Sequence, residues 1–166
     1  MHAETIAYQL ELSQKVVQMN TRDVSHEDSL VPPPLGGSCL NQVLGHLVRT
    51  RNLALQGLGR TPLFPVQEFD AYDDERGSTP FSPETAIRFE ELKRRFELLQ
   101  IPIVELVRGM SDEDLRSTPS RKLTEDPTET VGCQLAKFVF HECYHVGQTG
   151  ILRRIAGKAG VVKPPR

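Results

Sequence analysis

A chain of 166 residues, 38% apolar and 25% charged with no Trp, has the size and composition of one globular domain spanning 1–166. Its formal charge of −2 leaves no electrostatic footprint for nucleic acid, and no apolar run nears the ~20 residues needed to cross a bilayer. The amino terminus, MHAETIAYQLELSQ, carries carboxylates where a signal peptide has basic and apolar regions, so a cytoplasmic protein is expected. Cys39, Cys133 and Cys143 are an odd number without CxxC spacing, which predicts buried reduced thiols rather than disulfides.

Four segments show helical rhythm, and runs of strand pattern are short throughout. The first runs from about Glu4 to Asn20 with Ile6, Leu10, Val16 and Val17 as its apolar positions. The second follows the breaker run Pro32 to Gly37, with Ser38 as a cap, and continues through Leu40, Val43, Leu44, Leu47 and Val48 to about Leu58. The third is expected to open at Ser82-Pro83-Glu84, and its stripe reads Leu92, Phe96, Leu99, Ile103, Leu106, a bundle seam that Pro102 should bend or split. Ser111 to Leu115 reads as a short capped turn and Thr118 to Pro127 as loop. The fourth helix runs from about Thr130 to Ala156, closed by Arg153, Arg154 and Gly157.

Between the second and third helices lies Gly59 to Phe81, with Pro62, Pro65, Pro80 and Gly77 and no clear period. A connection of that length is unusual unless it has a task, and it is long enough to return the chain along a helix of ~30 Å. The expected fold is therefore an all-α four-helix bundle with one long crossover, which leaves helices two and three parallel.

In the fourth helix Leu135, Phe138, His141, His145, Gln148 and Leu152 follow steps of three and four, which places both histidines and Gln148 on the presumptive core face. Residues four apart can bring two imidazoles to one ion. His46 shares its face of the second helix with Cys39, Val43, Thr50 and Leu53 and supplies a third ligand. Each histidine alone reads as a satisfied core residue; three neutral imidazoles gathered in an apolar setting are better explained by a shared divalent cation. His2 and His26 receive no role. Cys39 and Cys133 stand two turns from the nearest histidine on their helices, too far to ligate, while Cys143 and Tyr144 are read as packing residues.

His141-Glu142-Cys143-Tyr144-His145 is also a literal HExxH, in which Glu142 would be a general base. The downstream ligand of a zinc peptidase is missing, since no His, Asp, Glu or Cys follows His145. Glu142 and Gln148 remain catalytic candidates. Gln148 either orients a ligand or makes a helix-interface hydrogen bond. Lys93 to Arg95 and Arg153-Arg154 are read as solvated helix faces, although the last pair offers itself to a carboxylate.

Asn41 to Leu47 with its histidine, and Phe140-His141-Glu142-Cys143-Tyr144-His145-Val146-Gly147-Gln148 followed by Leu152-Arg153-Arg154, resemble the DinB-like family over nearly the whole chain. The resemblance implies a four-helix bundle, a site of three histidines (His46, His141 and His145) filled by zinc, nickel or iron, and a homodimer. It also implies a metal-dependent enzyme acting on a small molecule, by transfer of a low-molecular-weight thiol such as bacillithiol or mycothiol, or by thiol-dependent isomerisation of maleylpyruvate. A metal-dependent hydrolase and a non-catalytic metal-binding stress-response protein are the alternatives.

Overall fold

The computed structural model describes residues 2–73, 80–119 and 125–161. Six α-helices and one 3₁₀ helix occupy these residues: α1 (Ala3–Thr21), α2 (His26–Ser29), α3 (Leu40–Gly57), the 3₁₀ helix Val66–Tyr72, α4 (Phe89–Arg108), α5 (Asp112–Arg116) and α6 (Val131–Ile155). Among the described residues there is no strand, and no helix is long and apolar enough to cross a membrane.

Helices α1, α3, α4 and α6 form the bundle. Asn41 bonds the Ile87 carbonyl and Arg51 the Phe96 carbonyl, so α3 and α4 advance together and are parallel. Ser13 meets Glu142 and Asn20 meets Thr149, which makes α1 and α6 parallel. Gln18 opposite Glu97 and Glu4 opposite Arg108 set α1 against α4 in the other sense. The expected crossover topology follows: up, down, down, up, with the link after α3 carrying the chain back along the bundle. The core is built from the predicted seams. Leu10, Leu44, Leu47, Leu92, Phe96, Leu99, Ile103 and Leu135 are all buried, each contributing on the order of 1.5–3 kcal/mol.

Four local expectations change. The α3 cap position is held by Cys39, not Ser38, and makes no side-chain cap bond. Ser82-Pro83-Glu84 forms an isolated turn closed by Thr85 N–H on the Ser82 carbonyl, and α4 begins only at Phe89. The delay has a cause in hydrogen bonding: the Ile87 N–H donates to Tyr72 Oη and its carbonyl accepts from Asn41, so both backbone groups are taken before a helix could use them. Nδ1 of His26 accepts the Phe89 N–H at 3.2 Å, so this histidine, given no role by its sequence position, caps α4. Pro102 leaves α4 continuous to Arg108.

The link itself is not structureless. Its 3₁₀ helix lays Phe69 and Tyr72 into the core against α3, and Asn52 of α3 holds both backbone groups of Phe64. From α4, Arg95 pairs with Glu68 and lies over the Phe64 ring. The expected loop within Thr118 to Pro127 falls partly on residues 120–124, outside the described residues, as does Gly77 of the link.

Candidate metal centre

The buried residues of α6 are Leu135, Val139, Glu142, Val146, Thr149, Leu152 and Arg153, a face that keeps the anticipated Leu135 and Leu152 but is turned one step round from the histidines between them. Three of its seven members are polar, and each is bonded inside the bundle, so the sequence hid the true inward face. Arg153 reaches across to the carbonyls of Asn20 and Arg22, where it closes the carboxyl end of α1. The opposite face exposes Phe140 (76%), Tyr144 (61%) and Ile151 (60%). Cys133 and Cys143 are exposed as well, and only Cys39 is the buried thiol expected. Neither Tyr144 nor Cys143 is therefore a packing residue.

This rotation places His141 and His145 on the flank of α6 that faces α3, half-buried at the edge of the core. There they meet His46. The Nε2 atom of His141 lies 3.0 Å from Nε2 of His46 and 3.1 Å from Nε2 of His145. No other His, Cys, Asp or Glu joins this group among the described residues, and its three ligand atoms lie within 4.8 Å of one another.

Hydrogen bonds fix which nitrogens face inward. His46 Nδ1 lies 3.0 Å from the Tyr72 carbonyl and His145 Nδ1 lies 2.7 Å from Gln148 Oε1, so each donates its Nδ1 proton and turns an Nε2 lone pair to the centre. The His141 Nδ1 atom is buried without a partner. Lone pairs crowded at 3.0–3.1 Å repel, and a single proton on His141 could serve only part of the set. A tetrahedral ion with Zn–N bonds of ~2.0–2.1 Å separates its nitrogens by about 3.3 Å, close to the spacing found. The donor set thus fits a borderline divalent cation such as zinc, nickel or iron, which His46, His141 and His145 would hold with coordination capacity left for a further ligand. Burial, followed by repulsion from His145 and His46, pushes the His141 imidazole down to about 4, so at neutral pH it is an uncharged ligand.

Gln148 is thereby placed on His145, one turn along its own helix. Glu142 is not at the centre. Both its carboxylate oxygens receive 2.8 Å bonds from the Arg51 guanidinium, Ser13 Oγ donates to one of them, and both side chains of the pair are 1% exposed. Arg51 also bonds Gln14 at 2.7 Å and stacks 3.6 Å over the Phe96 ring. A carboxylate buried this deeply, with three of its about four acceptor sites taken, is closed to solvent water and does not serve as the general base that HExxH spacing suggests.

Sequence reasoning missed the second layer of residues. Tyr72 comes from the link; its hydroxyl is held between Asn41 Oδ1 (3.1 Å) and the Ile87 N–H (2.8 Å). Burial raises that phenol to about 12, so it stays protonated and can make both bonds. Beside it, Asp73 forms a largely buried ion pair with Arg49 of α3. The signal for these residues is weak: an aromatic in a proline-rich link and a glycine before His46.

A crystal structure of a conserved protein of locus from Enterococcus faecalis has the same fold, with a TM-score of 0.73 over 95% of this chain and 99% of that one at 16% identity. No curated protein matches the chain. The model of the DinB superfamily matches residues 9–149, a span that includes all three histidines, the whole of α3 and α6 as far as Thr149, and the chain belongs to that superfamily.

Proposed function

We propose that the protein is a metal-dependent transferase that moves a low-molecular-weight thiol onto a small electrophile. The observation that supports this reading most is the convergence of three Nε2 atoms at the half-exposed edge of the bundle, with protons held away on two of the three rings. A divalent ion held there supplies Lewis acidity, which lowers the pKa of a thiol to yield a thiolate at neutral pH. The chain's own residues supply the rest: His46, His141 and His145 bind, the Tyr72 carbonyl and Gln148 orient two of the rings, and the exposed Tyr144 ring stands edge-on to His145, 5.1 Å between centroids, at the rim. In the transfer the thiolate sulfur forms a bond to an electrophilic carbon, and either a leaving group departs with the electron pair or a conjugated alkene takes up the thiol proton. Hydrolysis in the manner of HExxH peptidases would use a carboxylate as base for water, and the one suggested by that spacing is occupied by Arg51.

The test is spectroscopic. Cobalt-substituted protein should gain a sulfur-to-metal band on addition of a bacterial low-molecular-weight thiol, and the thiol should be consumed stoichiometrically with an epoxide, alkyl halide or conjugated alkene. His145→Ala should abolish both, whereas Glu142→Gln, measured where it is folded, should retain the band. An unchanged cobalt spectrum across a broad thiol panel, with cleavage of esters or amides that depends on Glu142, would replace the transferase reading by a hydrolase; silence in both assays would favour the non-catalytic one.

A further inference from the structure

Gly45 precedes His46 on α3, and nothing in the three-histidine pattern needs a glycine there. A helix interior disfavours glycine by roughly 1 kcal/mol relative to alanine. The space around it explains the residue: a Cβ at position 45 would lie inside the Tyr72 ring, against Cδ1, Cε1 and Cγ. The ring rests directly on the α3 backbone, one residue before a ligand. Four further contacts hold this end of the link in that place. The hydroxyl is bonded to Asn41 and to the Ile87 N–H, the Phe81 ring packs edge-on at 5.5 Å between centroids, and Asp73 is paired with Arg49, one turn beyond His46. The Tyr72 carbonyl thereby ends 3.0 Å from His46 Nδ1.

We infer that Gly45 and Tyr72 act together as positioning residues for the metal centre: the missing side chain at 45 lets the Tyr72 ring close on α3, and that closure sets its carbonyl on His46 so that Nε2 is the atom offered to the cation. The inference rests on the metal-binding reading above for its consequence, though not for its geometry. Without the carbonyl, neutral His46 can carry its proton on either nitrogen, and the form protonated at Nε2 cannot ligate through that atom.

Long-range ¹H–¹⁵N spectra of metal-free protein read the tautomer of His46, and cobalt or zinc titration reads affinity for the metal alone. Wild type should show His46 protonated at Nδ1 in a single form. Gly45→Ala should show a mixture of tautomers at His46 and a loss of metal affinity of about 10–100-fold, the range for losing an outer-shell partner. Tyr72→Phe keeps the ring on α3 while losing the hydroxyl's two bonds, which help to hold the carbonyl in place; it should shift tautomer and affinity in the same direction as Gly45→Ala and by less, whereas a merely structural role for residue 72 would lower stability alone. Should Gly45→Ala fail to fold, Arg49→Gln, which frees Asp73 beside the carbonyl, carries the same test with the same direction. The inference is overturned if wild-type His46 holds its proton on Nε2, or if Gly45→Ala (or Arg49→Gln in its stead) keeps the wild-type tautomer and affinity. Absence of metal binding in wild type would instead defeat the metal reading, and the tautomer spectra would still decide the contact between Tyr72 and His46.

Discussion

Arg51 and Glu142 face each other inside the bundle as a two-pronged ion pair, Nε on Oε2 and Nη2 on Oε1, both at 2.8 Å. The pair ties α3 to α6 within one turn of two of the three histidines. Removing either partner leaves a buried charge without its counterion, so Glu142→Ala or Arg51→Ala should cost about 3–5 kcal/mol, whereas Arg51→Met with Glu142→Leu should recover most of that loss. Urea unfolding of the two single variants and the double variant measures it. Losses below about 1 kcal/mol for both single variants would mean that the pair is solvated, since that is the range for surface bridges.

Carefully prepared protein should carry about one divalent ion per chain, because one three-histidine cluster exists among the described residues. His46→Ala should weaken binding as severely as His141→Ala, by more than the about 10–100-fold expected for an outer-shell loss. Elemental analysis after reconstitution decides this. Chelation should lower the melting temperature while leaving the helical circular dichroism in place, since the seams of α1, α3, α4 and α6 are buried independently of the ion.

Metal-free protein should lose stability as pH falls from about 6.5 to 4. The folded His141 imidazole resists protonation until about 4, while the unfolded chain accepts that proton near 6.5. Stability from this group is therefore complete above 6.5, declines through the window, and levels off below it. Solvent screening of a half-exposed ring reduces the amplitude. Replacing His141 with Gln should flatten the slope in denaturation midpoints measured across this range. Glu91, held down to about 2 by Arg94 and Arg95, adds its own loss of stability as pH falls below about 4.5, which overlaps only the low end of the window and is left in place by the substitution at His141.

His26→Ala should cost about 0.5–2 kcal/mol, the range for losing a helix cap, because the Phe89 N–H loses its acceptor. Hydrogen exchange should quicken at the first turn of α4, while metal stoichiometry stays unchanged. Unchanged exchange at Phe89 would remove the capping role.

The bundle was legible because Leu92, Phe96, Leu99 and Ile103 keep a single seam along α4 and the breakers around Pro32 to Gly37 mark the entry to α3. The three histidines were legible because His141 and His145 are one turn apart and His46 lies in an otherwise apolar stretch. What escaped was whatever depends on partners distant in the chain. Glu142, Thr149 and Arg153 look like surface residues until Arg51, Asn20 and the end of α1 are brought beside them. The start of α4 was misplaced because Ser82-Pro83-Glu84 is a sound local cap, and only Tyr72 and Asn41 show why the helix begins later. The inward face of α6 was set one step off for the same reason: paired polar groups carry no hydrophobic signal.

His141 and His145 belong to one turn of one helix, while His46 stands 95 positions before His141 and reaches it only when the crossover is laid down. Two thirds of the ligand set is therefore available to a chain that has not folded, as soon as that turn of helix forms on the sub-microsecond scale. The last third waits on a closure across 95 residues, whose entropy must be spent before the contact is made. An ion captured early by the pair would travel with the folding chain and be completed by His46 at the end. Because the unfolded chain keeps some affinity of its own, the ion should stabilise the fold by less than its full binding free energy.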